Sequence, residues 1–113
     1  MTVSYFVRYD ITAQDPDEFV RYYRDVHLPL IARWPGLNRV VLHTRVEWND
    51  PFAITRGGAV LLAQFEFDTV EALTKALFSP ERAKARLDFQ HFPAFAGPVT
   101  HQAMSSEEVW RKK

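Results

Sequence analysis

Four histidines, His27, His43, His91 and His101, are the side chains in this sequence best suited to moving a proton at neutral pH. Only His27 sits in a local pattern that favours chemistry. It lies in Tyr22-Tyr23-Arg24-Asp25-Val26-His27-Leu28-Pro29-Leu30, on the apolar side of a helical pattern and two residues before a proline. Proline has no N–H and its ring crowds the carbonyl four residues back, here Asp25, so the helix must kink or restart between Asp25 and Pro29. A freed carbonyl, an imidazole and aromatic neighbours such as Tyr23 and Trp34 describe a small-molecule pocket. The chemistry would be general acid–base, because an imidazole near its own pKa takes or gives a proton at neutral pH. The competing reading is a packed helix histidine bonded to a nearby carbonyl.

Other chemistries find less support. No Ser/His/Asp set stands at a diagnostic spacing, and the chain has no cysteine, so disulfides, thiolate ligands and a Cys nucleophile are excluded. The histidines form no His-x-His or His-x-x-x-His pair, and Gly57-Gly58 lacks the strand–loop–helix context of a phosphate cradle. The expectation is that no metal, haem or flavin is needed.

The elements that must position His27 read clearly. Val3 to Ile11 alternates as a strand, with Val3, Tyr5, Val7, Tyr9 and Ile11 on one side. A helix follows: Asp15 as cap, Pro16 at the first turn, Glu18 completing a capping box, then Phe19, Tyr22, Tyr23, Val26 and Leu30 at helical spacing. Pro35-Gly36 ends it, and Leu37 to Trp48 reads as a long second strand. Asn49 to Gly58 is a loop, and Ala59 to Phe67 a third strand. Asp68 with Glu71 repeats the capping box for a helix reaching about Phe78. Ser79-Pro80-Glu81 opens a short helical piece towards Phe89. Gly97-Pro98 leads to a last strand, Val99 to Met104.

The order β-α-β-β-α-β is the ferredoxin-like arrangement, an α+β fold with a four-stranded antiparallel sheet and both helices on one face. Strand three is apolar on both sides, with Val60 and Leu62 opposite Ala59, Leu61, Ala63 and Phe65, and Phe6 and Val41 interrupt faces that should be polar. Two helices cover only one face of such a sheet, so the expected partner is a second copy, sheet face against sheet face.

Alternation along the second strand sends Val40, Leu42, Val46 and Trp48 under the helices, and Arg39, Val41, His43, Arg45 and Glu47 to the other side. His43 then belongs with Arg8 and Gln64 on the dimer side. His101 is placed in the same polar cluster, although the register of the last strand is ambiguous. His91 stands in Phe89-Gln90-His91-Phe92-Pro93-Ala94-Phe95, a segment that reads as core and also borders the helix–sheet pocket, where His91 would face His27.

At 113 residues the chain is one domain, read as a folded unit over 1–104 and a polar tail over 105–113. Hydrophobic residues at 47% and aromatics at 14% supply a core and exclude disorder. Fourteen basic and fourteen acidic residues cancel, and no Lys/Arg stripe is interleaved with aromatics, so no nucleic-acid partner is expected. No apolar run approaches the ~18 residues of a membrane span and no leader pattern is visible, so a cytoplasmic protein without a membrane partner is expected.

The pattern Phe19-x-x-Tyr22-Tyr23-x-x-x-His27-x-Pro29-Leu30, followed by Pro35-Gly36-Leu37, resembles the EthD family of dimeric α+β barrel proteins. The resemblance implies a ferredoxin-like protomer whose sheet pairs with that of a second copy. Relatives in the wider superfamily include muconolactone-type isomerases, cofactor-free monooxygenases, polyketide cyclases and haem-degrading enzymes. In isomerase-like relatives the histidine of this pattern lies in the active-site pocket, which points to His27. A tyrosine that some of them place early in strand two would fall at Arg39 or Val40, and their cysteine has no equivalent here. That isomerisation is therefore not implied.

The expected site thus has His27 as acid–base residue of a small cofactor-independent enzyme. Tyr5, Tyr9, Tyr23, Trp34, Trp48, Phe65 and His91 are its candidate walls. Its ligand would be a hydrophobic, aromatic or cyclic metabolite, and its reaction an isomerisation, a dehydration or cyclisation, or an oxygenation. A non-catalytic dimeric binding or accessory protein and a haem-binding member of the superfamily are the alternatives.

Overall fold

A computed structural model describes residues 1–113. Its main sheet has four antiparallel strands, β1 (Thr2–Tyr9), β3 (Arg39–Thr44), β4 (Leu61–Phe67) and β6 (Val99–Ser106), in the order β3-β4-β1-β6. The helical segments are α1 (Pro16–Tyr22), α2 (Leu28–Ile31), α3 (Val70–Leu77) and α4 (Pro80–Leu87). The two central strands are the ones that the helices cover. Tyr5, Val7 and Tyr9 of β1 stand opposite Phe65, Ala63 and Leu61 of β4, and all six are at most 7% exposed. This is the ferredoxin-like architecture expected from the order of elements. No helix is long and apolar enough to cross a membrane.

Local signals set most boundaries. Asp15 caps α1, its Oδ1 accepting from the Glu18 N–H at 3.1 Å, while the Glu18 side chain turns to Arg21 and leaves the capping box half made. The cap of α3 is Thr69 rather than Asp68. Its hydroxyl accepts from the Ala72 N–H at 3.1 Å, and Asp68 instead accepts from Asn38 Nδ2 at 2.8 Å. Ser79 caps α4 through the Arg82 N–H at 3.2 Å.

Two strands end earlier than their sequence patterns, one because the chain bends and one for want of a partner. The first stops at Tyr9, where the chain bends, and Thr12–Ala13 (β2) pairs separately with Phe95–Ala96 (β5). Gly97 makes that crossing: its φ is 124°, and a Cβ there would lie 2.8 Å from the Asp10 carbonyl oxygen. The second strand ends at Thr44, opposite Leu61, instead of reaching Trp48. Arg45 to Trp48 alternate in sequence but face no strand, so the irregular segment runs from Arg45 to Val60. At the other end, β6 extends two residues past Met104 to Ser106.

The proline-bearing helix does break its regular bonding. Between α1 and α2, Tyr23–His27 form a π-helical turn in which the Leu28 N–H donates to the Tyr23 carbonyl, five residues back. The sequence has two reasons for it. Pro29 cannot donate to Asp25, so a wider turn just before it loses little. The buried positions are Phe19, Tyr23, His27 and Ile31, at 0%, 1%, 3% and 1% exposure, rather than the expected series with Tyr22, Val26 and Leu30. At 3.6 residues per turn, three four-residue steps drift by about 120° around an α-helix. One wider turn takes back part of that drift and keeps all four side chains on the sheet.

Candidate functional site

His27 is held from a second element that the sequence did not connect to it. Its Nδ1 lies 3.0 Å from Oδ2 of Asp88, the residue that follows α4 and opens a short 3₁₀ turn, Asp88–His91. The other carboxylate oxygen, Oδ1, accepts from the Tyr22 hydroxyl at 2.8 Å. Burial, and then donation to that carboxylate, push the Tyr22 phenol up to about 12. Phe92, Tyr23 and Phe89 surround the imidazole, with ring centroids 4.7, 5.0 and 5.4 Å away.

This environment decides the state of the ring. Burial lowers the His27 pKa from 6.5, Asp88 works against that shift, and the Arg86 charge adds to it, for a net lowering. The imidazole is therefore neutral at pH 7. A neutral ring facing a carboxylate through Nδ1 carries its proton there and donates it, which leaves the Nε2 lone pair free. Nε2 has no protein partner, and the residue lines a cleft between the helices and the sheet.

That cleft lies between the helices and the sheet and is open on one side to solvent. Its floor is the sheet, through Tyr5, Val7, Tyr9 and Phe65, and its wall includes Tyr23, His27, Ile31 and Trp34. The cleft is tight as a whole: its cavity volume is about 20 Å³, room for one or two waters. Tyr9 and Tyr23, at ring centroids 5.7 Å apart, have phenol pKa values raised chiefly by burial, so both stay protonated hydroxyls.

The structure thus brings Tyr5, Tyr9, Tyr23, Trp34 and Phe65 to His27 and leaves two other expected wall residues elsewhere. Trp48, beyond the end of β3, is 46% exposed, with the Arg56 guanidinium 4.3 Å over its ring. His91 is exposed at the end of the 3₁₀ turn and does not line the cleft. His101 also moves, in the opposite sense: it pairs with Val7 and therefore shares the helix-facing side, 5.8 Å from the Tyr5 ring. The rest of the polar cluster is on the outer face. His43 Nε2 is 3.1 Å from Gln64 Oε1, and Arg8 pairs with Asp10 at 2.7 Å.

Three residues of the cleft system went unread in the sequence. Asp88 is 61 positions from His27, and its only local signal is an acid at the edge of a phenylalanine-rich stretch. Arg82 and Arg86, four apart on α4, look like an ordinary solvated helix face. No three His, Asp or Glu side chains converge anywhere as a metal-ligand set.

Comparison with known proteins agrees with this architecture. An EthD family protein from Bacillus halodurans C-125 is 21% identical over 95% of this chain and 100% of its own, with a TM-score of 0.74. SnoaB, a cofactor-independent oxygenase from Streptomyces nogalater, is 15% identical over 98% of both chains, with a TM-score of 0.62. A dimeric protein of unknown function and ferredoxin-like fold from Bacteroides fragilis is 12% identical over 93% of this chain and 96% of its own, with a TM-score of 0.60. No protein of curated function matches the sequence. The EthD domain pattern matches residues 12–96, which hold the histidine helix, the central strand β4 and the Asp88 turn, and the chain belongs to the EthD family.

Proposed function

We propose that this chain is a small cofactor-independent enzyme that takes a proton from a hydrophobic, aromatic or cyclic metabolite, with His27 as the base. The observation that carries the reading is the Asp88–His27 contact of 3.0 Å behind an apolar cleft. A carboxylate on Nδ1 fixes the tautomer and steadies the imidazolium that forms when Nε2 accepts a proton. The pair alone can run a proton shift. The substrate C–H or O–H bond breaks, its electrons stay on the substrate as an enolate or phenolate, and Nε2–H returns the proton to another carbon or to a leaving oxygen. Isomerisation and dehydration or cyclisation both fit this scheme. Oxygenation would begin with the same proton removal, with dioxygen as oxidant, and the likeness in fold to a cofactor-independent oxygenase supports keeping it in the class.

In the same reading the protein works as a homodimer. The outer face of the sheet, away from the helices, carries Phe6, Val41 and Leu62, all partly buried, together with Met104 at 49% exposure. A second copy laid face to face would remove that area from water.

The test is a thermal-shift screen with ring-bearing metabolites followed by turnover assays on the hits. His27→Gln should keep the fold and lose a factor of about 100 or more in kcat. Asp88→Asn should also lose kcat, with KM nearly unchanged. Saturable binding without turnover by the unsubstituted protein would replace the enzyme with a binding module. An unfolded His27→Gln in a protein that binds no hit would make His27 a core tie.

A further inference from the structure

We infer that the mouth of this cleft is built to hold a planar oxyanion, so that the ligand is an aromatic or cyclic carboxylic acid whose ring lies inward and whose carboxylate meets Arg82, Arg86 and the Trp34 indole N–H. The inference rests on the small-molecule reading of the cleft and narrows its ligand.

The charges at the cleft are of one sign. Of its thirteen lining residues nine are hydrophobic, none is Asp or Glu, and Arg82 and Arg86 carry the permanent charges. Asp88 stands behind His27 and does not line it. Four of the ten arginines pair with a carboxylate, Arg8 with Asp10, Arg21 with Glu18, Arg39 with Glu66 and Arg111 with Glu108, and what sets Arg82 and Arg86 apart from the other unpaired ones is that they line this cleft. Neither Arg82 nor Arg86 has an acidic side chain within the 4.0 Å that defines such a pair, although the chain holds 14 acids.

Their donors are poorly used. Arg82 makes two long contacts, Nη1 to the Leu77 carbonyl at 3.4 Å and Nη2 to the Tyr5 hydroxyl at 3.5 Å, and its Nε is buried with no partner. Arg86 lies over the Phe89 ring, its guanidinium carbon 5.0 Å from the centroid, and both residues line the cleft. A second, independent donor waits in the same space. Trp34 is only 7% exposed, and its Nε1–H is buried without an acceptor. A buried N–H left unmade costs stability, and an indole can only donate, so an acceptor completes it. The same positive field reaches the neighbours: Arg82 and Arg86 act to lower both the Tyr5 phenol and the His101 imidazole, each second to burial, which raises the one and lowers the other.

A guanidinium fork binds carboxylate and phosphate alike, so the choice between them rests on size: the smaller, flat carboxylate is the better match to so narrow an aromatic cleft. The cleft is too small for a ring as it stands, so in this assignment flanking side chains such as the exposed Arg86 turn aside to admit one.

The experiment compares 2-naphthoate with its neutral isostere 2-naphthamide, and with naphthyl phosphate, by titrating ¹⁵N-labelled full-length protein. The chain has three tryptophans, and Trp34→Phe identifies the Trp34 indole signal. Naphthoate should bind at least about ten-fold more tightly than the amide and than the phosphate, and should shift the Trp34 indole N–H. Arg86→Gln and Arg82→Gln should each abolish most of that preference while leaving amide affinity alone. Lys84→Gln, on the same helix but outside the cleft, should leave it intact. Equal affinity for acid and amide, a preference that survives Arg86→Gln, a preference for phosphate, or no naphthoate binding at millimolar concentration would each overturn the assignment. Affinity is read without turnover, so an acid preference in a protein with no activity removes the enzyme reading and keeps this one.

Discussion

The two faces of the main sheet are made from alternate residues of the same strands, yet they are built to different rules. On the helix-facing side Tyr5, Val7, Tyr9, Leu61, Ala63, Phe65 and Phe67 are at most 7% exposed and belong to one hydrophobic core. On the other side Phe6, Leu62 and Val41 alternate with polar pairs, His43 with Gln64 and Arg39 with Glu66. Ser4 is fully buried there, bonded to Ser106 at 2.8 Å and to Gln64 at 3.2 Å. The inner face gains from shape and dryness, which is also what a proton-transfer site needs. The outer face mixes greasy area with hydrogen bonds, as surfaces between subunits do.

The largest effect should come from the inner face. Phe65, 1% exposed and packed 5.4 Å from the Trp34 ring, leaves a cavity when cut to alanine, and the cost should be about 3–5 kcal/mol in denaturant unfolding. Its outer-face neighbour Leu62, changed to alanine, should cost well under half as much in dilute protein. Equal losses would mean that the outer face is as tightly built as the core.

Next in size is the quaternary effect. With a chain mass of 13.2 kDa, a dimer should sediment near 26 kDa, twice that value. Leu62→Lys places a charge on the outer face and should shift the mass towards one chain while leaving the helical circular dichroism unchanged. A single-chain mass for the unsubstituted protein across micromolar concentrations would break the comparison at its root, since the greasy outer face would then be stable in water.

How much of this could be read in the sequence follows from where each signal resides. Caps, prolines and alternation are local, so the order of elements and the disturbed helix at Pro29 were legible. The end of β3 depends on where β4 begins, so Trp48 was drawn into a strand that has no partner to extend it. His101 needed the β1–β6 register, which depends on the turn at Gly97-Pro98 and not on any pattern within the strand. Asp88 could not be linked to His27, because their contact is made by the docking of α4 against the histidine helix. The four-residue spacing of Phe19, Tyr23, His27 and Ile31 was in view, and it is the signal that names the π turn.

The smallest effect, and the one that tests the inner face most finely, is the response to acid. Burial holds the folded-state pKa of His27 below 6.5, with Asp88 opposing and Arg86 assisting. As the pH falls past 6.5 the unfolded chain takes up a proton at this position before the folded one does, so acid favours unfolding. The contribution of His27 is therefore fully present above 6.5 and is lost as the pH falls through its folded-state value. His101, lowered by burial and by the same two arginines, acts in the same direction. Unfolding free energy measured from about pH 7.5 down to 5 should decline, and His27→Gln should flatten part of the decline while the share from His101 remains. If the unsubstituted protein instead gains stability on acidification through this range, the imidazole is charged in the fold. The Asp88 pair is then an ion pair, and a neutral base is absent from the cleft.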